Sequence, residues 1–428
     1  MKTTIKNMDY DAVMALPRPK YQKPRRPGLF WRLLIRFLCF FGLMGTGFRY
    51  EKDLEGIGKD EPCLILMNHT CFLDMEMAHK ILFPRVFNIV ASNDGFIGFF
   101  GLMQWVMRAI GCIPTQKFVS DIGLVRDMEY CLKELKTSVL MYPEASYSFD
   151  GTATTLPRKF GILLKKFDVP VVMIETFGVF ARNPLYNELQ IRKDQKISAK
   201  ARVLFTREQI QSMTVKELTD GVEAAFGFDH FQWQKDNNIR ITQPFRADGL
   251  DRILYKCTAC GAEGHMKGKG TTLTCSACGK TWELTELGEI QAGAGETEIS
   301  HIPSWYRWER EQVAADIEAG AYHLDTDVTI AMQVDYKAVY MVGEGHLTHD
   351  NNGFHLTGCD GKLDYTQKPQ ACFGLYADYY WYEIDDCICI GDNEVHYFLF
   401  PKDKTVSVAK LRLAAEEMYK LHKAKRLP

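Results

Sequence analysis

Residues 51 to about 243 alternate two kinds of pattern. "PCLILMN", "VFNIVAS", "SVLMYPE" and "VPVVMIETFG" are short apolar runs and read as strands, whereas "DIGLVRDMEYCLKELK" repeats its apolar positions at helical spacing. The alternation predicts an α/β sheet layered with helices over residues 51–245. Beyond residue 291 the rhythm changes. "SWYRWEREQVAADIEAG" has helical spacing, and segments rich in Val, Tyr, Phe and His then follow one another across Gly, Asp and Asn turns. "VSVAKLRLAAEEMYKLHKA" closes the chain as an amphipathic helix. Residues 291–428 therefore read as an antiparallel β-rich domain with a C-terminal helix, of pleckstrin-homology type. No internal repeat or low-complexity tract interrupts these units.

Length fits this division, since 428 residues are enough for two or three domains. The formal charge of −2 conceals an asymmetry: residues 1–50 hold ten Lys or Arg against Asp9 and Asp11. Such an arm suits an anionic surface. Residues 28–48, "GLFWRLLIRFLCFFGLMGTGF", extend it with an apolar stretch in which Arg32 and Arg36 share one helical face. The charge-free run from 37 to 48 is shorter than the ~20 residues that cross a bilayer. An interfacial helix is expected instead, with its aromatics among acyl chains and its cations among headgroups. The basic arm and the reduced thiols downstream belong on the same side of a membrane, its cytoplasmic face, and no small-residue cleavage site marks a secretory signal.

Four of the 13 cysteines form Cys257-x-x-Cys260 and Cys275-x-x-Cys278, each pair followed by glycine (Gly261, Gly279). Two such turns offer four thiolates to one tetrahedral ion, and four ligands close the site, so a structural Zn²⁺ is expected in a ribbon over residues 246–290. A disulfide pair is the alternative; the scattered Cys39, Cys63 and Cys131 favour a reducing compartment and hence the metal. His265, between the pairs, reads as a loop histidine.

The chemistry lies in "LILMNHTCFLDMEMAHK". A strand ends at Asn68-His69 and helical spacing resumes at Phe72, so residues 68–71 form a turn at the edge of the sheet, where α/β proteins place ligands. Asp74, in the first turn of the helix, can fold back to accept a hydrogen bond from His69 and raise its basicity, as a general base requires. A strand-end histidine beside an acid that serves the helix dipole would look the same.

Downstream stand "GCIPTQK", "MYPEASYS" and "DVPVVMI". With N-H-x-x-x-x-D they occur in the order and spacing of the four blocks of the glycerolipid acyltransferase family, typified by 1-acyl-glycerol-3-phosphate acyltransferases. The chain resembles that family over residues 60–176. The resemblance implies that His69 deprotonates a lysophospholipid hydroxyl, that Asp74 orients it, and that the hydroxyl attacks an acyl thioester, acyl-CoA or acyl carrier protein, without a covalent enzyme intermediate. It further implies that Glu144 helps to position the acceptor, lysophosphatidate above all, and that Pro143 and Pro170 are structural.

The chain departs from the family's pattern at four positions. Lys117 stands for the second-block arginine and loses its bidentate fork. In the third block Ala145 replaces glycine, Ser146 replaces threonine and Tyr147 replaces the arginine that contacts phosphate. Arg158 and Lys159 are candidates to restore that cation; a solvated basic pair is the alternative. Residues 95–113, apolar and without acids, read either as a core helix or as the wall of an acyl-chain groove. Two other functions fit parts of the sequence. Nucleic-acid binding is disfavoured by the acidic C-terminal region and the lack of a stacking series in the ribbon. A catalytically inactive lipid-binding scaffold would explain the altered third block, but it has no need of His69, Asp74 and Glu144 together.

Overall fold

A computed structural model describes residues 3–98, 101–117, 121–187 and 190–424. Lys2 of the basic arm and Phe99 and Phe100 of the apolar stretch lie outside the described residues. The chain begins with β1 (Ile5–Asn7) and α1 (Tyr10–Met14), continues without regular structure to residue 28, and enters α2 (Leu29–Gly42). A mixed sheet follows, built from β2 (Arg49–Asp53), β3 (Leu64–Met67), β4 (Phe87–Ser92), β5 (Cys112–Thr115), β6 (Ser138–Met141), β7 (Val171–Phe177) and β8 (Ser198–Phe205). Between these strands lie α3 (Leu73–Leu82), α4 (Leu102–Ala109), α5 (Ile122–Lys133), α6 (Phe160–Phe167) and α7 (Val179–Arg182).

The sheet order is β2-β8-β7-β3-β6-β4-β5, with β7 and β8 antiparallel and the other neighbours parallel. The central strands are apolar throughout because both of their faces are covered. Ile65, Met67, Leu140, Val172 and Ile174 enter one core, while Leu64, Leu66, Val139, Val171 and Met173 enter the core on the opposite face. This is the layered α/β unit that the sequence predicts. "RYEKD" at the sheet edge and "SAKARVLF" beside it carry charge and lack a continuous apolar run, so the sequence pattern gives no signal for β2 and β8.

After α8 (Arg207–Ser212), α9 (Val215–Ala225) and α10 (His230–Asp236), a four-stranded sheet is formed by β9 (Met266–Lys269), β10 (Thr272–Cys275), β11 (Thr281–Leu284) and β12 (Ile290–Ala292). The chain ends with α11 (Ile302–Glu318), β13 (Leu324–Gln333), β14 (Val339–Asp350), β15 (Gly353–Gly358), β16 (Leu363–Gln367), β17 (Tyr376–Trp381), β18 (Asp385–Gly391), β19 (His396–Pro401) and α12 (Val408–Ala424). These strands run in the order β16-β15-β14-β13-β19-β18-β17, and every neighbouring pair among them is antiparallel. The helix-closed antiparallel region is thus present; its strand order does not by itself identify a pleckstrin-homology-type roll. Alternation sends Val328, Ile330 and Met332 into a core shared with α11, α12 and the ribbon. Ala331, Tyr376, Trp381, Phe398 and Phe400 face the other way, onto Ile97 and Ala145 of the α/β unit. The C-terminal sheet therefore covers the edge at which the third-block loop emerges.

The basic arm is bound along the molecule. β1 pairs in parallel with β14, Val13 is fully buried, and Lys362 pairs with Asp9 and Asp11. Further on, the Tyr21 hydroxyl donates to Asp127 and Arg26 donates to the carbonyls of Leu135 and Lys136. α2 docks through Trp31, Ile35 and Cys39, one helical stripe, and leaves Leu29, Phe30, Leu33, Phe37, Phe40 and Phe41 exposed. Arg32 and Arg36 do share a face, but it flanks the docked stripe: Arg32 donates to the Pro84 carbonyl and Arg36 covers the Phe83 ring at 4.0 Å. Both cations thus make contacts with the protein, and Arg36 stays exposed. Residues 95–113 are not a wholly buried helix either, because Leu102 and Trp105 of α4 are exposed and Trp105 meets Trp31 edge-on at 5.2 Å. Among the described residues, no helix is long and apolar enough to cross a membrane.

Candidate active site

Residues 68–71 connect β3 to α3, and three interactions fix this turn. One carboxylate oxygen of Asp74 accepts from the backbone amides of Thr70 (2.6 Å) and Cys71 (3.0 Å) and lies 3.1 Å from Nδ1 of His69. Asp74 is fully buried, and its other oxygen has no hydrogen-bond partner among the described residues. A carboxylate can only accept, so Nδ1 carries the proton and Nε2 keeps its lone pair. Asn68 braces the turn from behind: its amide donates to the Thr176 hydroxyl and its carbonyl accepts from the Thr176 backbone.

Glu144 fastens the third-block loop to the histidine. Its two oxygens accept from the backbone amides of His69 (2.8 Å) and Thr154 (2.9 Å), and Ser148 donates through its amide to the His69 carbonyl. Burial pushes the Glu144 carboxyl up to about 7 despite these two amide donors. Ala145 has φ 55°, so the residue that replaces glycine here adopts the left-handed backbone that glycine enters without strain. Ser146 is buried and makes only a long 3.5 Å contact with the Tyr147 carbonyl.

Aromatic rings flank the imidazole. Tyr142 stacks on it at 4.0 Å between centroids, Tyr147 meets it at 4.4 Å, and 21% of the His69 side chain remains exposed. Burial lowers the His69 pKa below the ordinary 6.5, against the opposing hydrogen bond and charge of Asp74. A small cavity touches His69, Asn68 and Glu144 on one side and Phe180 and His230 on the other. His230 is buried with neither ring nitrogen hydrogen-bonded among the described residues, and burial holds it near 3, hence neutral.

The candidate cations do not converge. Lys117 lies 3.8 Å from the centroid of Tyr376 on β17, and the Tyr376 hydroxyl donates to Asp378 at 2.7 Å. Burial raises Asp378 to about 6, although Tyr376 and Lys117 both favour its ionised form. Arg158 covers the Tyr419 ring of α12, and Lys159 is exposed at the start of α6. Among the described residues neither forms a hydrogen bond or ion pair with His69, Asp74 or Glu144. The cation beside the third block is Arg412 of α12, which is buried, lies 4.4 Å over the Phe149 ring and approaches the Tyr147 carbonyl at 3.5 Å. Sequence proximity points to neither Arg412, which reaches the loop from more than two hundred residues away, nor Asp378, which is held by Tyr376 on β17. Tyr142 stands at the first, aromatic position of the third block, immediately before Pro143, and Thr154 lies just after the block.

The ribbon brings its four cysteines together. Their sulfurs all lie within 4.8 Å of one another, with 3.9 Å between Cys257 and Cys278 and 3.8 Å between Cys260 and Cys275. Sulfurs about 2.3 Å from a central ion stand about 3.8 Å apart in a regular tetrahedron, so the spacing fits a bound metal. His265 is instead 3.3 Å from the Ser276 hydroxyl.

Comparison with known proteins bears on this geometry. The Acyltransferase family model matches residues 50–174, the stretch that holds β3, the His69 turn, Lys117 and Glu144. Over those residues the chain is similar to an acyltransferase-family domain. The crystal structure of the 1-acyl-sn-glycerophosphate (LPA) acyltransferase PlsC from Thermotoga maritima overlaps with a TM-score of 0.34 and 17% identity, covering 45% of this chain and 78% of that one. No curated protein matches the chain.

Proposed function

We propose that the protein is a membrane-surface O-acyltransferase of phospholipid biosynthesis that transfers a fatty acyl group from an acyl thioester to a lysophospholipid hydroxyl, with His69 as general base. The observation that carries this reading is the shared oxygen of Asp74, which holds the His69 turn and its imidazole together and leaves Nε2 free. In the proposed reaction Nε2 takes the acceptor's hydroxyl proton as the oxygen attacks the thioester carbonyl. Collapse of the tetrahedral intermediate breaks the carbon–sulfur bond, and the thiolate leaves with the proton from Nε2. Glu144 acts through the backbone: by binding the amides of His69 and Thr154 it sets the distance between the two loops. Tyr147 over the imidazole is the observation that favours the alternative, an inactive lipid-binding scaffold, and turnover decides between them.

A base works only when neutral, so activity should be present above the His69 pKa and fall as pH drops through it. Because burial depresses that pKa, the acid limb of kcat/KM is expected below 6.5. A limb at or above 6.5 in a pH–rate profile would contradict the assignment.

We further propose that the exposed apolar face of α2, extended by Leu102 and Trp105 of α4, enters the cytoplasmic leaflet of an anionic membrane. Burying a large apolar side chain is worth ~1.5–3 kcal/mol, so Phe37→Ser with Phe41→Ser should weaken vesicle binding by about a hundredfold or more. Raised salt should release the native protein only partly, since screening does not touch the apolar term. Co-sedimentation with anionic vesicles measures both; complete release by salt would argue against insertion. The four cysteines are proposed to hold a structural Zn²⁺.

A further inference from the structure

A cavity of about 320 Å³ lies between α11, α12 and the loop that follows β6. Arg307, Arg310 and Arg412 line it, together with Asp150, Tyr306 and Glu416. Its wall includes Thr152 and Ala153, which also line the small cavity at His69 and Glu144, so the two spaces adjoin. We propose that this cavity binds a phosphate group of a substrate, with the three arginines replacing the cation that the third block lacks at Tyr147. The proposal rests on the acyltransferase reading for its substrate class.

The arginines are held in place before any ligand arrives. Glu416, buried, accepts from Nη2 of Arg310 at 2.7 Å, from Nε of Arg412 at 3.2 Å and from the Thr155 hydroxyl at 2.9 Å. Glu417 accepts from Nη1 of Arg310 at 2.7 Å and equally from Lys420. A guanidinium has five N–H donors, and these partners occupy only some of them, so donors remain for a ligand. Arg307 is exposed one turn before Arg310 on α11. The carboxylates in the wall are already engaged: both oxygens of Asp150 accept from Thr152, and Glu416 is bound as above. Among the residues that line the cavity three guanidiniums face two occupied carboxylates, while Glu417, behind the wall, is shared between Arg310 and Lys420. Planar forks of this kind suit a phosphate monoester, which carries almost two charges.

Two substrates could bring that phosphate: the acceptor headgroup, or the phosphopantetheine and nucleotide of the acyl donor. Calorimetry on the full-length protein, with glycerol 3-phosphate and coenzyme A as separate probes and glycerol and pantetheine as phosphate-free controls, distinguishes them. Arg307→Gln removes an exposed donor, and Arg412→Lys keeps the charge and the Glu416 pair but loses the fork. Each is expected to weaken one phosphate-bearing probe by about ten- to a hundredfold, the size of a lost charge-assisted hydrogen bond, and to leave the controls unchanged. The probe affected identifies the source. His69→Ala should bind that probe as the native protein does. If both folded variants bind both probes with native affinity, the anion site is wrong, whatever the turnover. If binding depends on the arginines but no donor supports acyl transfer, the anion site stands and the acyltransferase reading falls.

Discussion

His69→Ala should lower acyl transfer to lysophosphatidate by ~10²–10⁴-fold or more, the usual contribution of general-base assistance. The substitution removes the imidazole and leaves the turn, because the contacts that shape residues 68–71 are made by backbone amides and by Asp74 and Glu144. The variant should therefore remain folded, and its circular dichroism should match the native protein's. Asp74→Asn attacks the same chemistry differently. A neutral amide oxygen accepts more weakly from two amides and an imidazole, and it no longer fixes the Nδ1–H tautomer or stabilises the imidazolium. It should cost activity strongly and stability as well. Radiolabelled acyl transfer to a panel of lysolipids measures both variants, and unchanged turnover in His69→Ala would exclude His69 as the base.

The same turn shows which parts of the molecule could be read from the chain. The strand-to-helix junction was legible because apolar run, polar turn and helical spacing occur within seventeen residues, and the Asp74 hydrogen bond follows from that local geometry. The layered sheet was legible for a related reason: strands buried on both faces leave unbroken apolar runs. What the sequence concealed is long-range. Lys117 stands beside β17 only because the C-terminal sheet folds over the α/β unit, and Arg412 reaches the third-block loop through the packing of α12. Nothing in the neighbourhood of Arg158 and Lys159 distinguishes them from a distant arginine that happens to fold into place. The arm shows the same limit: Ile5–Asn7 adds a parallel strand to β14 and Val13 is buried, contacts that its charge and composition cannot signal.

Removing the metal should do more than loosen the ribbon. Cys257 and Cys275 are fully buried, in the same core as α11 and the β-rich sheet. Trp282 of β11 meets Trp305 of α11 edge-on at 5.3 Å, and the Trp305 indole donates to the Lys256 carbonyl next to the first cysteine at 3.0 Å. Structural zinc contributes ~10–16 kcal/mol to the folding of small ribbons, comparable with the ~5–15 kcal/mol that stabilises a typical domain. Cys257→Ser, or exposure to a strong chelator, is therefore expected to unfold the ribbon and release α11, with a large drop in the thermal transition and loss of near-ultraviolet tryptophan signal. Because α11 carries Arg307 and Arg310, phosphate binding should fall with it, while the His69 turn, built on the other sheet, keeps its hydrogen bonds. Elemental analysis of the native protein should find one zinc per chain. Absence of metal, or a Cys257→Ser variant as stable as the native protein, would refute the structural role. Loss of acyl transfer while the tryptophan signal stays native would instead assign the metal a part in the chemistry.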